Sequence, residues 1–310
     1  MLSRRQLRVK VLQALYAYFQ SDKKELPAAE RELTRSIEKV HELYIYILQF
    51  IVELGEADLA DAGELHHKYF PDQEELKAIL RLNQFGFVKE LQQSSSYAAQ
   101  VKRWKTTWQK DHELVRKLFL EIKRSPEYRS FITGAATDEK MFLQQVLKNQ
   151  VEDSEVMQHH IEEENMFWSE DLSFVLHMVS RTIRQFYETG KLEVMETYRD
   201  EQDDKAFIRT LFSQTVLHNK EYEEAVSERT QNWDLERIAM MDILILKMAL
   251  SELIHFPGIP VKVSINEYIE ISKDFSTPKS KQFINGIIDK LAIDYKKSGK
   301  IVKTGRGLME

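Results

Sequence analysis

The sequence predicts an all-α protein, and three observations lead to this prediction. The 310 residues include only 10 Gly and 6 Pro, so few residues interrupt helices. Apolar residues recur at steps of three and four along most of the chain, which is the period of an amphipathic helix. Apolar residues make up 43% and charged residues 30% of the chain, a balance typical of a packed globular protein.

The first helix is predicted over residues 3–20, where Leu7, Val11 and Leu15 form one apolar stripe. The same periodicity predicts helices at residues 28–55, 73–93, 98–124, 138–150, 154–189, 203–228, 234–255, 261–274 and 278–297. Thr277 followed by Pro278 is typical of a helix start. Gly286, inside the last helix, costs about 1 kcal/mol relative to Ala, so we expect it to mark a close contact between helices.

The composition excludes several classes of protein. The chain contains no Cys, which excludes disulfides, thiolate metal sites and cysteine nucleophiles. No segment approaches the roughly 20 apolar residues of a membrane span, so we expect no membrane association and a cytoplasmic location. The most apolar stretch, residues 238–250, carries Asp242 and Lys247 and is predicted to be a buried core helix.

The sequence has no signature of an enzyme. It lacks a P-loop, a Gly-rich dinucleotide turn and a Gly-x-Ser-x-Gly motif, so we expect no catalytic residue and no cofactor. Three Glu-x-x-His pairs leave a metal-dependent helical enzyme as the less favoured alternative, although we predict no metal site. These pairs are Glu38/His41, Glu64/His67 and Glu252/His255.

Two segments concentrate positive charge in a chain whose net charge is −6. Arg4, Arg5, Arg8 and Lys10 precede the first acidic residue, a pattern that fits either a phosphate-rich partner or a solvated helix end. The second segment, "VKRWKTTWQK" (101–110), places Trp104 and Trp108 four residues apart, on one face of a predicted helix. We expect the tryptophans to be core anchors with lysines in solvent; the alternative is an extension of an RNA surface.

Several motifs together resemble the NusB family of transcription antitermination factors. They are the basic first helix ending in Gln-Ala-Leu-Tyr, then Ala-Leu-x-Glu-Leu, Ile-Asn-Glu and Phe-Ile-Asn-Gly, in this order. The resemblance implies a pair of packed helical bundles with a long helical insertion after the first helix. The domains it implies are the first helix (1–21), the insertion (22–200), the remainder of the core (201–298) and a flexible basic tail (299–310).

The resemblance also implies a function and partners. Members of the family bind single-stranded boxA-type RNA of ribosomal RNA leaders together with NusE, a ribosomal small-subunit protein, within an antitermination complex of RNA polymerase. The RNA-binding positions it implies are Arg4, Arg5, Arg8, Lys10, Lys279, Ser280, Lys281 and Phe283. It implies that Tyr16 and Asp242 face NusE. If Asp242 is buried at this interface, it needs a basic or hydrogen-bonding partner.

Other functions remain as alternatives to RNA-dependent antitermination. The same helical module occurs in an rRNA cytosine methyltransferase, but this chain lacks the cofactor domain and the catalytic cysteine. A helical adaptor that binds only proteins remains possible on the sequence alone. Binding of boxA-type RNA, with and without NusE, distinguishes the adaptor from the antitermination factor.

Overall fold

A computed structural model of the chain describes residues 1–67, 82–135, 138–230, 239–277 and 280–308. Within these ranges the chain forms α-helices, short 3₁₀ turns and one π turn, and no β-strand, so the all-α prediction is confirmed. The described helices are α1 (Arg4–Gln20), α2 (Leu26–His67), α3 (Gly86–Gln93), α4 (Ser95–Trp104), α5 (His112–Arg124), α6 (Pro126–Ile132), α7 (Glu139–Leu147), α8 (Glu155–Glu164), α9 (Leu172–Thr189), α10 (Glu201–Leu217), α11 (Asn219–Arg229), α12 (Met240–His255), α13 (Val261–Phe275) and α14 (Ser280–Lys297).

The chain divides into two compact units. Unit 1 comprises Met1–Ile37 and Thr197–Glu310, and unit 2 comprises Glu38–Glu196. The boundary between them falls within α2, after Ile37. Unit 1 therefore joins the two ends of the sequence and unit 2 holds its middle.

In unit 1, α1 begins with a complete capping box. The Ser3 hydroxyl accepts from the Gln6 amide nitrogen at 3.3 Å, and the Ser3 amide nitrogen donates to Gln6 Oε1 at 3.1 Å. These bonds satisfy backbone groups that a helix start leaves without helical partners. The predicted stripe of Leu7, Val11 and Leu15 is fully buried, and it packs α1 on α10, α12 and α13.

The core of unit 1 is built around α12. Leu244 to Leu253 are all buried, and α12 packs on α10, α11, α13 and α14. This stretch holds two charged groups, Lys247 and Glu252. The Lys247 ammonium bonds Glu223 at 2.7 Å and Asn219 at 2.8 Å. The predicted buried core helix is confirmed, since burial on all sides is what a helix without a polar face requires.

Residues 299–308, within the segment predicted to be a basic tail, lie against the turn that follows α12. Ile301 is buried, and the Thr304 amide nitrogen donates to the Pro257 carbonyl at 3.0 Å. Lys303 Nζ donates to the Phe256 carbonyl at 3.0 Å. At Gly307, a Cβ atom would lie 1.9 Å from the Pro257 oxygen, so only glycine permits this approach.

Unit 2 is held together by α2 and a buried group of aromatic side chains. Tyr46 of α2 stacks on Trp108 with ring centroids 4.2 Å apart, and the Trp108 indole donates to the Tyr46 carbonyl at 3.0 Å. One turn earlier, His41 Nδ1 accepts from Trp104 Nε1 at 2.8 Å, and His41 Nε2 lies 2.6 Å from the Met195 carbonyl. The expectation that both tryptophans anchor a core is confirmed for Trp108, which is 1% exposed, while Trp104 is half-buried.

Several of the predicted helices are interrupted in the described residues. The prediction of one helix over 203–228 is wrong, because α10 ends at Leu217 and α11 begins at Asn219. The prediction of one helix over 98–124 is wrong, because α4 ends at Trp104 and Lys105 takes the left-handed conformation with φ of 57°. Trp104 and Trp108 therefore do not share a helix face. The prediction of one helix over 154–189 is also wrong, because α8 ends before Asn165, whose side chain accepts from the Phe167 amide.

The expectation for Gly286 is wrong as well. Gly286 is exposed, and a Cβ atom there would meet nothing within 4 Å. Of the predicted helices, residues 73–81, 234–238 and 278–279 lie outside the described residues.

Candidate nucleic-acid interface

The start of α1 borders a groove of about 890 Å³ in unit 1. Arg4, Arg5 and Arg8 line it together with Phe207 of α10 and the turn 256–259 that follows α12. Three of the predicted RNA-binding residues therefore line the same groove. Cationic and aromatic groups in one groove are the combination that binds phosphates and unpaired bases.

Arg4 lies at the groove with its charge already compensated. Its guanidinium bonds Asp203 and lies 3.2 Å from Asp204, both at the start of α10. It also stacks over the Phe207 ring, 4.3 Å from the centroid. The Arg4 side chain is 34% exposed, so part of it is open to solvent.

Arg5 has the same arrangement with a different partner. Its guanidinium makes a bidentate contact with Glu267 of α13, at 3.0 and 2.9 Å, and its side chain is 44% exposed. The hydrogen bond to Glu267 raises the pKa of Arg5 above its usual value. The hydrogen bond from Lys273 lowers the pKa of Glu270, and the positive charges of Arg5 and Lys281 lower it further. Arg5 and Lys281 therefore both lie within electrostatic reach of Glu270.

Arg8 forms the inner wall of the groove and is almost completely buried. It makes a bidentate contact with Glu252 of α12, at 2.7 and 2.8 Å, and its side chain is 3% exposed. Glu252 also accepts from Ser264 Oγ at 2.7 Å and from Tyr268 Oη at 3.0 Å. Burial alone would lower the pKa of Arg8, but the hydrogen bond and charge of Glu252 outweigh it and raise the pKa. Arg8 thus ties α1 to α12 and α13.

The other predicted RNA-binding residues lie at different depths. Lys10 is buried, with 6% exposure, and Phe283 is buried in α14. Ser280, also buried, donates to Asp242 Oδ2 at 2.7 Å, whereas Lys281 is exposed. Lys279 lies outside the described residues.

The two positions predicted to face NusE differ in exposure. Tyr16, near the end of α1, is 41% exposed. Asp242 is 4% exposed and accepts hydrogen bonds from Ser276 and Ser280, on either side of the start of α14. These hydroxyls supply hydrogen-bonding partners for the Asp242 carboxylate within the chain, and its role toward NusE stays a prediction. Asp242 also lies in the first turn of α12, where a carboxylate is favourable to the helix dipole.

Sequence reasoning missed the acidic side of the groove. Glu252 belongs to the Ala-Leu-x-Glu-Leu motif and Glu267 to the Ile-Asn-Glu motif, but the sequence does not show which cations pair with them. No motif in the sequence marks Phe207 or the turn 256–259 as part of the site. The groove is therefore charge-balanced, and an anionic ligand has to compete with carboxylates for the exposed arginines.

The described residues offer no metal centre. No group of three or more His, Asp or Glu side chains clusters within the described ranges. Glu252 is held by Arg8, and His255 Nε2 lies 3.1 Å from the Tyr222 hydroxyl. The side chains of Glu64 and His67 lie outside what the structure describes.

The comparisons identify the family. The sequence model of the NusB family matches residues 172–292. A Transcription antitermination protein NusB from Salinibacter ruber is 40% identical over 110 residues, which are 36% of this chain and 69% of that protein. The chain belongs to the NusB family. NusB proteins from Natranaerobius thermophilus and Chloroherpeton thalassium are 35% and 36% identical, over 34% of this chain and over 77% and 50% of their own lengths.

The NusB match covers α9 to most of α14, so it includes Glu252, Glu267 and the turn 256–259 but not α1. No solved structure matches the chain. Among the described helices, none has an apolar stretch of the length and hydropathy that a bilayer crossing requires.

Proposed function

We propose that this NusB-family chain is a non-enzymatic, RNA-binding transcription antitermination factor. It binds single-stranded boxA-type leader RNA of ribosomal RNA operons together with NusE, in the antitermination complex of RNA polymerase. The observation that supports the proposal best is the groove in unit 1. Two part-exposed arginines, Arg4 and Arg5, lie there beside Phe207 and the half-buried Phe256.

The chemistry of the groove suits RNA. An arginine fork binds phosphate oxygens in the same bidentate geometry that it uses for carboxylates. A phosphate can therefore take the place of Glu267 on Arg5, or of Asp203 on Arg4. A polyanion gains further from the release of counterions, which an internal carboxylate does not provide.

Arg8 has a positioning role in this proposal. Its side chain is buried against Glu252, so direct contact with RNA would cost it this ion pair. It fixes the start of α1 on α12 and thereby holds Arg4 and Arg5 at the groove. The hydrogen bond from Ser280 to Asp242 holds the start of α14 on α12, and the exposed Lys281 follows directly after it.

The test of RNA binding compares Arg4→Ala/Arg5→Ala with the wild type. Each phosphate contact to single-stranded RNA adds about 0.7 to the slope of log affinity against log salt, so the double variant should lose roughly 1.4. Arg229→Ala is the matched control, because Arg229 is also paired with carboxylates but does not line the groove. Equal slopes for the wild type and the double variant, with helicity retained, would refute the RNA role and favour an adaptor that binds only proteins.

Contact with NusE is proposed through Tyr16. Its half-exposed ring presents the amphipathic surface that binding hot spots favour, so Tyr16→Ala should weaken NusE binding by about 1 kcal/mol or more. Leu217→Ala removes another exposed apolar side chain of unit 1 and serves as the control. Isothermal titration with purified NusE measures both variants. Unchanged affinity in Tyr16→Ala would remove this residue from the interface.

A further inference from the structure

Unit 2 carries a second cationic surface, the segment Lys102–Lys110. Lys102, Arg103, Lys105 and Lys110 are all exposed, and none forms an ion pair with a described residue. The arginines of the groove differ, because each of them is paired with a carboxylate. An unpaired exposed cation interacts with an incoming anion without first losing an internal partner.

The positive charge of this segment stands out from the rest of unit 2. Residues 38–196 hold 28 acidic and 19 basic residues, yet residues 101–110 contain four basic residues and no acidic one. Solubility does not call for such a cluster, since the unit is already strongly charged. A local concentration of one sign in a unit of the opposite sign indicates a binding surface.

Lys105 provides an independent observation. It is the one non-glycine residue with positive φ, at 57°, among the described residues, and it caps the end of α4. Glycine or asparagine is usual at such a helix end, because a side chain strains the left-handed conformation. A strained residue that keeps a long cationic side chain points to a function for that side chain.

The backbone around Lys105 is fixed on both sides. Trp104 Nε1 donates to His41 Nδ1 at 2.8 Å, and Trp108 Nε1 donates to the Tyr46 carbonyl at 3.0 Å. These two anchors hold the segment between α4 and α5, in which Lys105 and Thr107 are exposed. The Arg103 guanidinium stacks on Trp104, 4.8 Å from the ring centroid.

We infer that the segment Lys102–Lys110 is a second RNA-binding surface, which contacts the phosphate backbone of single-stranded RNA. The inference rests on the proposed function and adds to it a surface outside the residues matched by the family model. The three lysines lie in the last turn of α4 and in the irregular segment that follows it, an arrangement that suits phosphates because their spacing in single strands varies. The stacked Arg103 and half-buried Trp104 add a planar surface for a base, which an acidic polypeptide does not use.

The test uses the full chain and a labelled single-stranded leader RNA that carries boxA. Lys102→Gln/Lys105→Gln/Lys110→Gln should lower the salt slope by roughly 2 and weaken binding severalfold at about 0.1 M salt. The matched control is Lys89→Gln/Lys148→Gln/Lys191→Gln, which removes three exposed lysines from other parts of unit 2. The control triple should bind RNA within about twofold of the wild type.

Lys105→Gly separates binding from folding. Glycine relieves the strain at φ of 57°, so the melting temperature of the variant should equal or exceed that of the wild type. The slope of log RNA affinity against log salt should fall by about 0.7 in the same variant. If the wild type binds RNA and both triple variants bind it equally, the second surface is refuted while the proposed function stands. If the first triple keeps RNA binding but loses binding to labelled polyglutamate, the surface belongs to an acidic protein. If the wild type does not bind RNA, the proposed function itself fails.

Discussion

Replacing Arg8 should destabilise unit 1 more than replacing any other arginine of the groove. In Arg8→Met, Glu252 stays buried at 0% exposure with two hydroxyl donors, from Ser264 and Tyr268, but without its cation. Removing one partner of a buried pair costs about 3–5 kcal/mol, because the remaining charge cannot reach water. At roughly 2–4 °C per kcal/mol for a unit of this size, the melting temperature should fall by about 10 °C.

The matched control is Arg5→Met, which breaks a pair that is 44% and 21% exposed and should cost less than about 1 kcal/mol. Arg8→Met/Glu252→Leu removes both charges and should recover part of the loss, although Ser264 and Tyr268 then lack their acceptor. Scanning calorimetry, with the transitions of the two units fitted separately, measures all three variants. A loss below about 1 kcal/mol in Arg8→Met would refute the assignment of Arg8 as the link between α1 and α12.

Three further predictions follow from the geometry of both units. Burial lowers the pKa of His41 to about 4, below the usual 6.5, so the unfolded state binds more protons than the folded state between these pH values. The stability that this histidine gives unit 2 should be fully present above pH 6.5 and fall by about 3 kcal/mol as the pH drops to 4. His41→Asn should flatten this pH dependence, as measured by urea titrations. Gly307→Ala places a Cβ atom against the Pro257 oxygen and should speed hydrogen exchange in residues 299–308, whereas Gly258→Ala, which meets nothing within 4 Å, should not. Asp242→Ala leaves Ser276 and Ser280 without their acceptor and should cost about 1–3 kcal/mol by calorimetry; a cost below that of an exposed alanine substitution would contradict the buried role.

Local patterns were enough to predict the helical fold. The stripe of Leu7, Val11 and Leu15 and the apolar run of α12 follow from period and composition alone, and the structure buries them as predicted. The interruptions were missed because periodicity does not show where a backbone changes conformation. Lys105 takes a left-handed cap that its residue type disfavours, and Trp108 turns into the core instead of extending α4.

The candidate site was predictable only on its basic side. A run of arginines without acids is visible in the sequence, but Arg8 and Glu252 are 244 positions apart and nothing local pairs them. The charge balance of the groove is therefore a tertiary property. The same holds for Asp242, whose partners Ser276 and Ser280 lie 34 and 38 positions further along the chain. The roles of these residues toward RNA and NusE stay predictions.

The measurement that tests the central claim most directly is an anisotropy titration of the full wild-type chain with single-stranded leader RNA. One RNA carries boxA and the other has the same composition with the boxA bases scrambled, each measured at two salt concentrations with and without NusE. The account predicts saturable binding that weakens with salt and favours the boxA RNA by about tenfold or more, which is about 1.4 kcal/mol. Absence of saturable binding to either RNA, in the presence of NusE as well, would contradict it.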